Sequence, residues 1–169
     1  IVIRRTTTPE RDLPFVRQLP PLVAPECPVD IAAALATLPP PLPASDGTAA
    51  LALIRISLAM AWGSSLAALD AALRRRLQRA DALRDALRDG RWPDRRALAQ
   101  WIIGDDATQL ALPLLLTSAE GAPPPDALAA LDAHRAAIDT LRRAVKPLVA
   151  ADSAARASRL RALMDAHPT

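Results

Sequence analysis

The sequence has no tyrosine, one phenylalanine and three tryptophans in 169 residues. Valine, isoleucine and threonine are sparse beyond the first thirty positions. So little β-branched and aromatic material argues against a sheet. Five glycines leave no glycine-rich phosphate loop. One cysteine, Cys27, excludes an internal disulfide and fits a reducing, cytoplasmic setting. With only His134 and His167 beside it, Cys27 cannot complete a closed zinc site. No metal and no cofactor is expected. Lys146 is the only lysine, so the basic side chains are almost all arginines.

What is present is helical material. Hydrophobic residues make up 51% of the chain, much of it alanine and leucine, both strong helix formers. That fraction excludes disorder throughout. At this length one domain with a real core is expected. The formal charge is +3. Arginine and alanine bias of this kind also follows from a GC-rich genome, so the charge says little about function. Residues 1–5 carry two arginines with no apolar run after them, so no secretory leader is read. The chain opens on Ile1 rather than Met. The expectation is a trimmed sequence, with any targeting segment ahead of it left open.

Proline divides the chain. Of 17 prolines, none falls between Pro43 and Pro93. Residues 1–44 carry one every few positions, which forbids long helices and central strands. Apolar residues lie between them, among them Leu13, Phe15, Val16, Leu19, Leu22 and Val23. An extended strap laid on the helical body is expected, or else a ligand segment for another protein. A short helix over 30–38, capped by Asp30, fits within it. Residues 45–169 form the helical domain.

In the proline-free window, Leu51, Ile54, Leu58, Trp62, Leu66, Leu69, Leu73 and Leu77 recur at helical steps. Trp62 is expected in the core. Ser45 or Asp46 is the expected cap, Gly63-Ser64-Ser65 a kink or break, and Gly90 the stop. Residues 48–69 are about long enough to span a bilayer. Arg55, Ser57, Gly63, Ser64 and Ser65 argue for a buried core helix instead. Further helices are expected over 95–103 and from Asp105, with Pro113 kinking or ending the latter. Asp126 opens a last long helix. Its seam, Ala127, Leu131, His134, Ile138, Leu141, Val145 and Leu148, alternates steps of four and three, the pattern of helix-on-helix packing. A small terminal helix is expected from Ser153. The string Leu-Ala-Ala-Leu-Asp-Ala occurs at 66–71 and again at 128–133. One six-residue match reads as low complexity more than as a solenoid repeat. The fold class is therefore all-α, a bundle of about five to seven helices with a proline-rich strap.

Catalytic constellations are missing. Gly63-Ser64-Ser65 lacks the flanking strand and second glycine of a nucleophile elbow. His134 occupies a packing seam, which makes it a core histidine rather than a base. Asp105 and Asp106 are adjacent, so on a helix they point about 100° apart; capping explains them better. No catalytic residue is assigned, and the chain is read as no enzyme. Candidate partner-binding residues are Arg74, Arg75, Arg76, Arg79, Trp92, Asp105 and Asp106. The arginine cluster invites a nucleic-acid reading. However, Asp70, Asp81, Asp85 and Asp89 interleave with it, with Asp70–Arg74 and Asp85–Arg88 at pairing distance on one helix. No aromatic ladder for single strands and no helix-turn-helix spacing accompanies it. Residues 66–104 carry nine arginines against five aspartates, and residues 105–126 carry four acids and no base. Such segregation steers protein partners. Trp92, between Gly90 and Pro93, is either an exposed anchor or a lid on the core.

The stretch containing Leu51, Leu53, Arg55, Leu58 and Gly63 resembles a helix of the cytosolic accessory subunits of bacterial type III secretion sorting platforms. The leucine- and proline-rich N-terminal part is similar in flavour. The likeness covers about a seventh of the chain. It implies a scaffold that docks other subunits. The functional expectation is a non-enzymatic helical adaptor or accessory subunit in a bacterial assembly, with a nucleic-acid-associated regulator as the alternative.

Overall fold

The structure is a computed structural model that describes residues 29–92 and 124–166. All of the regular structure in these residues is helical. The elements are α1 (Ile31–Ala36), α2 (Ala44–Ser64), α3 (Leu66–Arg88), α4 (Ala127–Val145), a 3₁₀ turn over Lys146–Leu148, and α5 (Val149–Ala166). The strap residues before Val29 and the helices expected over 95–103 and from Asp105 lie outside the described residues. No described helix is long and apolar enough to cross a membrane.

Asp30 caps α1 as its position predicts, accepting a hydrogen bond from the Ala33 N–H at 3.0 Å. Four prolines, at 39, 40, 41 and 43, then keep the chain out of a helix. Leu38, Pro41 and Leu42 are nevertheless buried. This short link is tied down by Arg55, whose Nη2 donates to the Leu38 carbonyl at 2.9 Å. Helix α2 starts at Ala44 with no side-chain cap. Ser45 and Asp46, expected to cap it, fall inside its first turn, because the fixed φ of Pro43 already sets the helix entry.

Helix α2 buries Leu51, Ile54 and Leu58. Trp62 departs from the expectation and is 37% exposed. The last turn of α2 sits where the chain reverses, so the indole lies at the edge of the core. The reversal is the Gly63-Ser64-Ser65 break: Ser65 is fully extended (φ −173, ψ 162), and its hydroxyl caps α3 by accepting from the Ala68 N–H at 3.0 Å. Gly90 ends α3 with φ +70, a conformation glycine adopts without steric cost. Arg91 N–H donates to the Ala86 carbonyl at 2.8 Å and Gly90 N–H to Leu87 at 3.1 Å. Those two bonds make a Schellman stop.

Helices α3 and α4 form an antiparallel hairpin at the centre of the molecule. Of the predicted seam, Ala127, Leu131, His134, Ile138, Leu141 and Val145 are buried on α4, while Leu148 lies past its end in the 3₁₀ turn and is half-buried. On α3 the buried set is Leu66, Leu69, Leu73, Arg76, Ala80, Leu83 and Ala86. Here the step after Leu73 is three, to Arg76, and Leu77 is left half-buried. Three ion pairs flank the seam: Asp70–Arg142 at 3.0 Å, Asp132–Arg84 at 2.6 Å, and Asp81–Arg135. Asp70 thus pairs across helices, not with Arg74. The two Leu-Ala-Ala-Leu-Asp-Ala strings each open a helix of this hairpin. Each supplies one aspartate to an arginine near the far end of the other helix. Helix α5 begins at Val149, earlier than the expected Ser153. Pro147 fits in the 3₁₀ turn and the backbone at Val149 stays helical (φ −58, ψ −42).

Candidate functional site

The arginine cluster is split by the geometry of α3. Arg74 and Arg75 are exposed, whereas Arg76 is 6% exposed and sits in the seam. Consecutive helical residues point about 100° apart, so three neighbours cannot share one face. Burial, and secondly the charge of Arg79, lowers the Arg76 pKa to about 10. It therefore stays charged at neutral pH inside the hairpin. Arg79 is half-buried on the same helix. Trp92 is half-buried and packs against the core. Asp105 and Asp106 lie outside the described residues. The seven candidates are thus not brought together into one patch by the described structure.

His134 is fully buried. Its Nδ1–H donates to the Pro39 carbonyl at 2.7 Å, which fixes the tautomer and ties α4 to the proline link. Nε2 is buried with no hydrogen-bond partner. Burial first, and Arg76 as well, push the pKa down to about 4 against the opposing pull of the Pro39 bond. The neutral imidazole, with its Nε2 sealed from solvent, ties α4 to the proline link. Among the described residues no group of three or more His, Cys, Asp or Glu could hold a metal ion.

Two polar contacts have little or no sequence signature. Asp152 is buried, and its Oδ2 accepts from the Leu66 N–H at 3.1 Å and from Arg156 Nε at 3.0 Å. The i,i+4 spacing to Arg156 is legible in the sequence; the reach to Leu66 is not. Arg55 reads in the sequence as an obstacle to membrane insertion, and in the fold it anchors Leu38.

Two surfaces among the described residues bear on docking. On α2 the outward face carries Ala52, Ile56, Ala59, Met60 and Gly63, all exposed, with Ile56 at 56% and Met60 at 72%. Of the residues in the secretion-subunit likeness, Leu51 and Leu58 are buried and only Gly63 lies on this outward face. The second surface is a groove of about 340 Å³ between α1 and α4. It is lined by Val29, Ala34, Thr37, Ala136, Ala137, Thr140 and Leu141. None of these carries a charge. The chain matches no family model, no curated protein and no solved structure.

Proposed function

We propose that this chain is a non-enzymatic helical adaptor that docks an apolar helix of another subunit on the outward face of α2. The full chain in this reading is a bundle of five to seven helices wrapped by its proline-rich N-terminal part. One observation carries the proposal: α2 is apolar on both sides. Ile54 is 0% exposed and Ile56, two residues on, is 56% exposed. A surface helix ordinarily presents a polar outer face, and a helix apolar all round is one that is covered on both sides. Small residues at 52, 59 and 63 would let a partner backbone approach closely. The likeness to secretion-platform subunits adds a candidate setting, a bacterial assembly in which such a scaffold docks other subunits.

The test is a paired capture from the native host with the full chain and two variants. Ile56→Glu/Met60→Glu should lose a specific protein partner that Arg74→Glu/Arg75→Glu retains. Retention of every captured protein by the α2 variant overturns the adaptor reading. A second reading, nucleic-acid binding, is favoured by one observation: Arg74 and Arg75 are exposed and make no ion pair among the described residues. Duplex-DNA titration at two salt concentrations decides it. Salt-sensitive binding that Arg74→Glu/Arg75→Glu abolishes would make the chain a regulator.

A further inference from the structure

The open face of α2 has a size pattern that is complementary to itself. Ala52, Ile56, Ala59 and Gly63 are all exposed and follow at steps of four, three and four. At about 100° per residue they lie within an arc of about 60°. That is the stepping of a coiled-coil seam. It runs on the side of α2 opposite the buried Leu51, Ile54 and Leu58. Turned end for end about a two-fold axis between Ser57 and Leu58, the series matches its own copy. Ile56 then meets Ala59 of the second copy, and Ala52 meets Gly63. The bulky side chain of the series is set against a small one. Nothing lies within 4 Å of where a Cβ at Gly63 would stand, so a second backbone has room to approach. Parallel pairing in register would instead set Ile56 on Ile56 and leave a gap at Gly63. Charge does not oppose the contact. Arg55 is the only charged residue between Ala50 and Ser64, and its Nη2 is held by the Leu38 carbonyl at 2.9 Å. Antiparallel pairing also sets opposite dipole ends side by side.

We propose that α2 packs antiparallel on α2 of a second copy of this chain, across a two-fold axis between residues 57 and 58. Each copy offers the same patch, as a two-fold dimer requires. The inference rests on the reading of this face as a docking surface and names the occupant it has in the free chain. Area sets the strength. The seam is about 16 Å long and one helix wide, which buries well under the roughly 1,200 Å² of a stable dimer. The pair is therefore weak, with a Kd on the order of 10–100 µM. At low micromolar concentration the chain is monomeric. A subunit that docks on α2 displaces the second copy.

Sedimentation equilibrium of the purified full-length chain, from about 1 to about 500 µM, tests the dimer. Ile56→Glu and, separately, Ala59→Glu should each weaken it by at least roughly 10-fold with the helical circular dichroism unchanged, since both positions are exposed. Single cysteines in a Cys27→Ser background, oxidised with copper phenanthroline, read the register. In the antiparallel pair the two copies of position 59 stand about 4.5 Å apart along the axis, and the two copies of position 52 about 16 Å apart. Ala59→Cys should therefore form a disulfide dimer. Ala52→Cys should form one only when mixed with Gly63→Cys. A chain that stays monomeric to about 500 µM overturns the proposal. So does a dimer that neither glutamate variant weakens, or a disulfide formed by Ala52→Cys alone. A monomeric chain whose host partner is still lost in Ile56→Glu/Met60→Glu removes this inference and keeps the adaptor reading. A dimer with the predicted crosslinks, in a chain whose α2 variant retains every captured protein, does the reverse.

Discussion

Asp152 caps a helix that begins 86 positions earlier in the chain: its Oδ2 accepts the Leu66 N–H at 3.1 Å. The N-terminus of a helix carries unsatisfied donors and a positive dipole end. A buried carboxylate there satisfies one and is favoured by the other. The same oxygen accepts from Arg156, so the contact locks α5 against the α2–α3 reversal. Removing it leaves a buried donor unpaired. Asp152→Ala should lower the unfolding free energy by about 1–3 kcal/mol. Asp152→Asn, which keeps an acceptor, should lose clearly less. Urea denaturation of the three proteins measures this, and equal losses for both variants would contradict the cap.

His134 makes stability depend on acid. Its folded pKa is about 4, below the roughly 6.5 of an unfolded histidine. Between those values the unfolded chain binds more protons than the folded one, so stability falls as pH drops. The loss starts near pH 6.5 and is complete below about 4. The full effect is on the order of 3 kcal/mol. His134→Gln should be less stable at pH 7 yet flatter between pH 6.5 and 4.5. Urea midpoints across that range test it, and parallel slopes for the two proteins would refute it.

Ile54 and Ile56 lie two residues apart on α2 and should respond oppositely to truncation. Ile54 is completely buried, so Ile54→Ala should cost about 2–5 kcal/mol. Ile56 is mostly exposed, so Ile56→Ala should stay within about 0.5 kcal/mol. Thermal denaturation of the isolated variants gives the comparison. A large loss at Ile56 would mean that its face is already covered within the chain.

The ion pairs of the hairpin should differ in strength by burial. Asp70 and Arg142 are about a quarter exposed, while Arg143 of the Arg143–Asp139 pair is largely exposed. Double-mutant cycles to alanine should give about 0.5–1 kcal/mol of coupling for Asp70–Arg142 and about 0.3 kcal/mol for Arg143–Asp139. Raising salt should weaken the second more than the first.

Gly90 should resist replacement. Nothing lies within 4 Å of the position a Cβ would take there, so only its φ of +70 opposes one. Gly90→Ala should cost about 1 kcal/mol through backbone strain alone. Calorimetry of the variant checks it.

The local rules of this fold are written in short windows of sequence. The α4 seam, the Asp30 cap, the break at Ser65 and the Gly90 stop each depend on a few neighbouring residues. They follow from helical periodicity, side-chain reach and glycine's freedom at positive φ. Scarce strand formers set the all-α class. The arginine–aspartate interleaving was legible as self-pairing, but not as pairing between helices. Asp70 and Asp81 each have an arginine three or four positions away, yet pair with a different one on the facing helix, whereas Asp89 pairs locally with Arg91. The same packing decided the site candidates. Leu73 is followed in the seam by Arg76 rather than Leu77, which took one arginine of the cluster inside and left Arg74 and Arg75 out. Trp62 had a core spacing, and the end of α2 placed it at the edge. Reach across the chain was beyond any window: Asp152 to Leu66, His134 to Pro39 and Arg55 to Leu38 join residues that only folding makes neighbours. Sequence thus determined the α4 seam, the Asp30 cap, the break at Ser65 and the stop at Gly90, because those depend on contacts a turn apart. Which charges are buried, which caps are borrowed and which faces stay open depended on helix-to-helix register, a property of the tertiary structure alone.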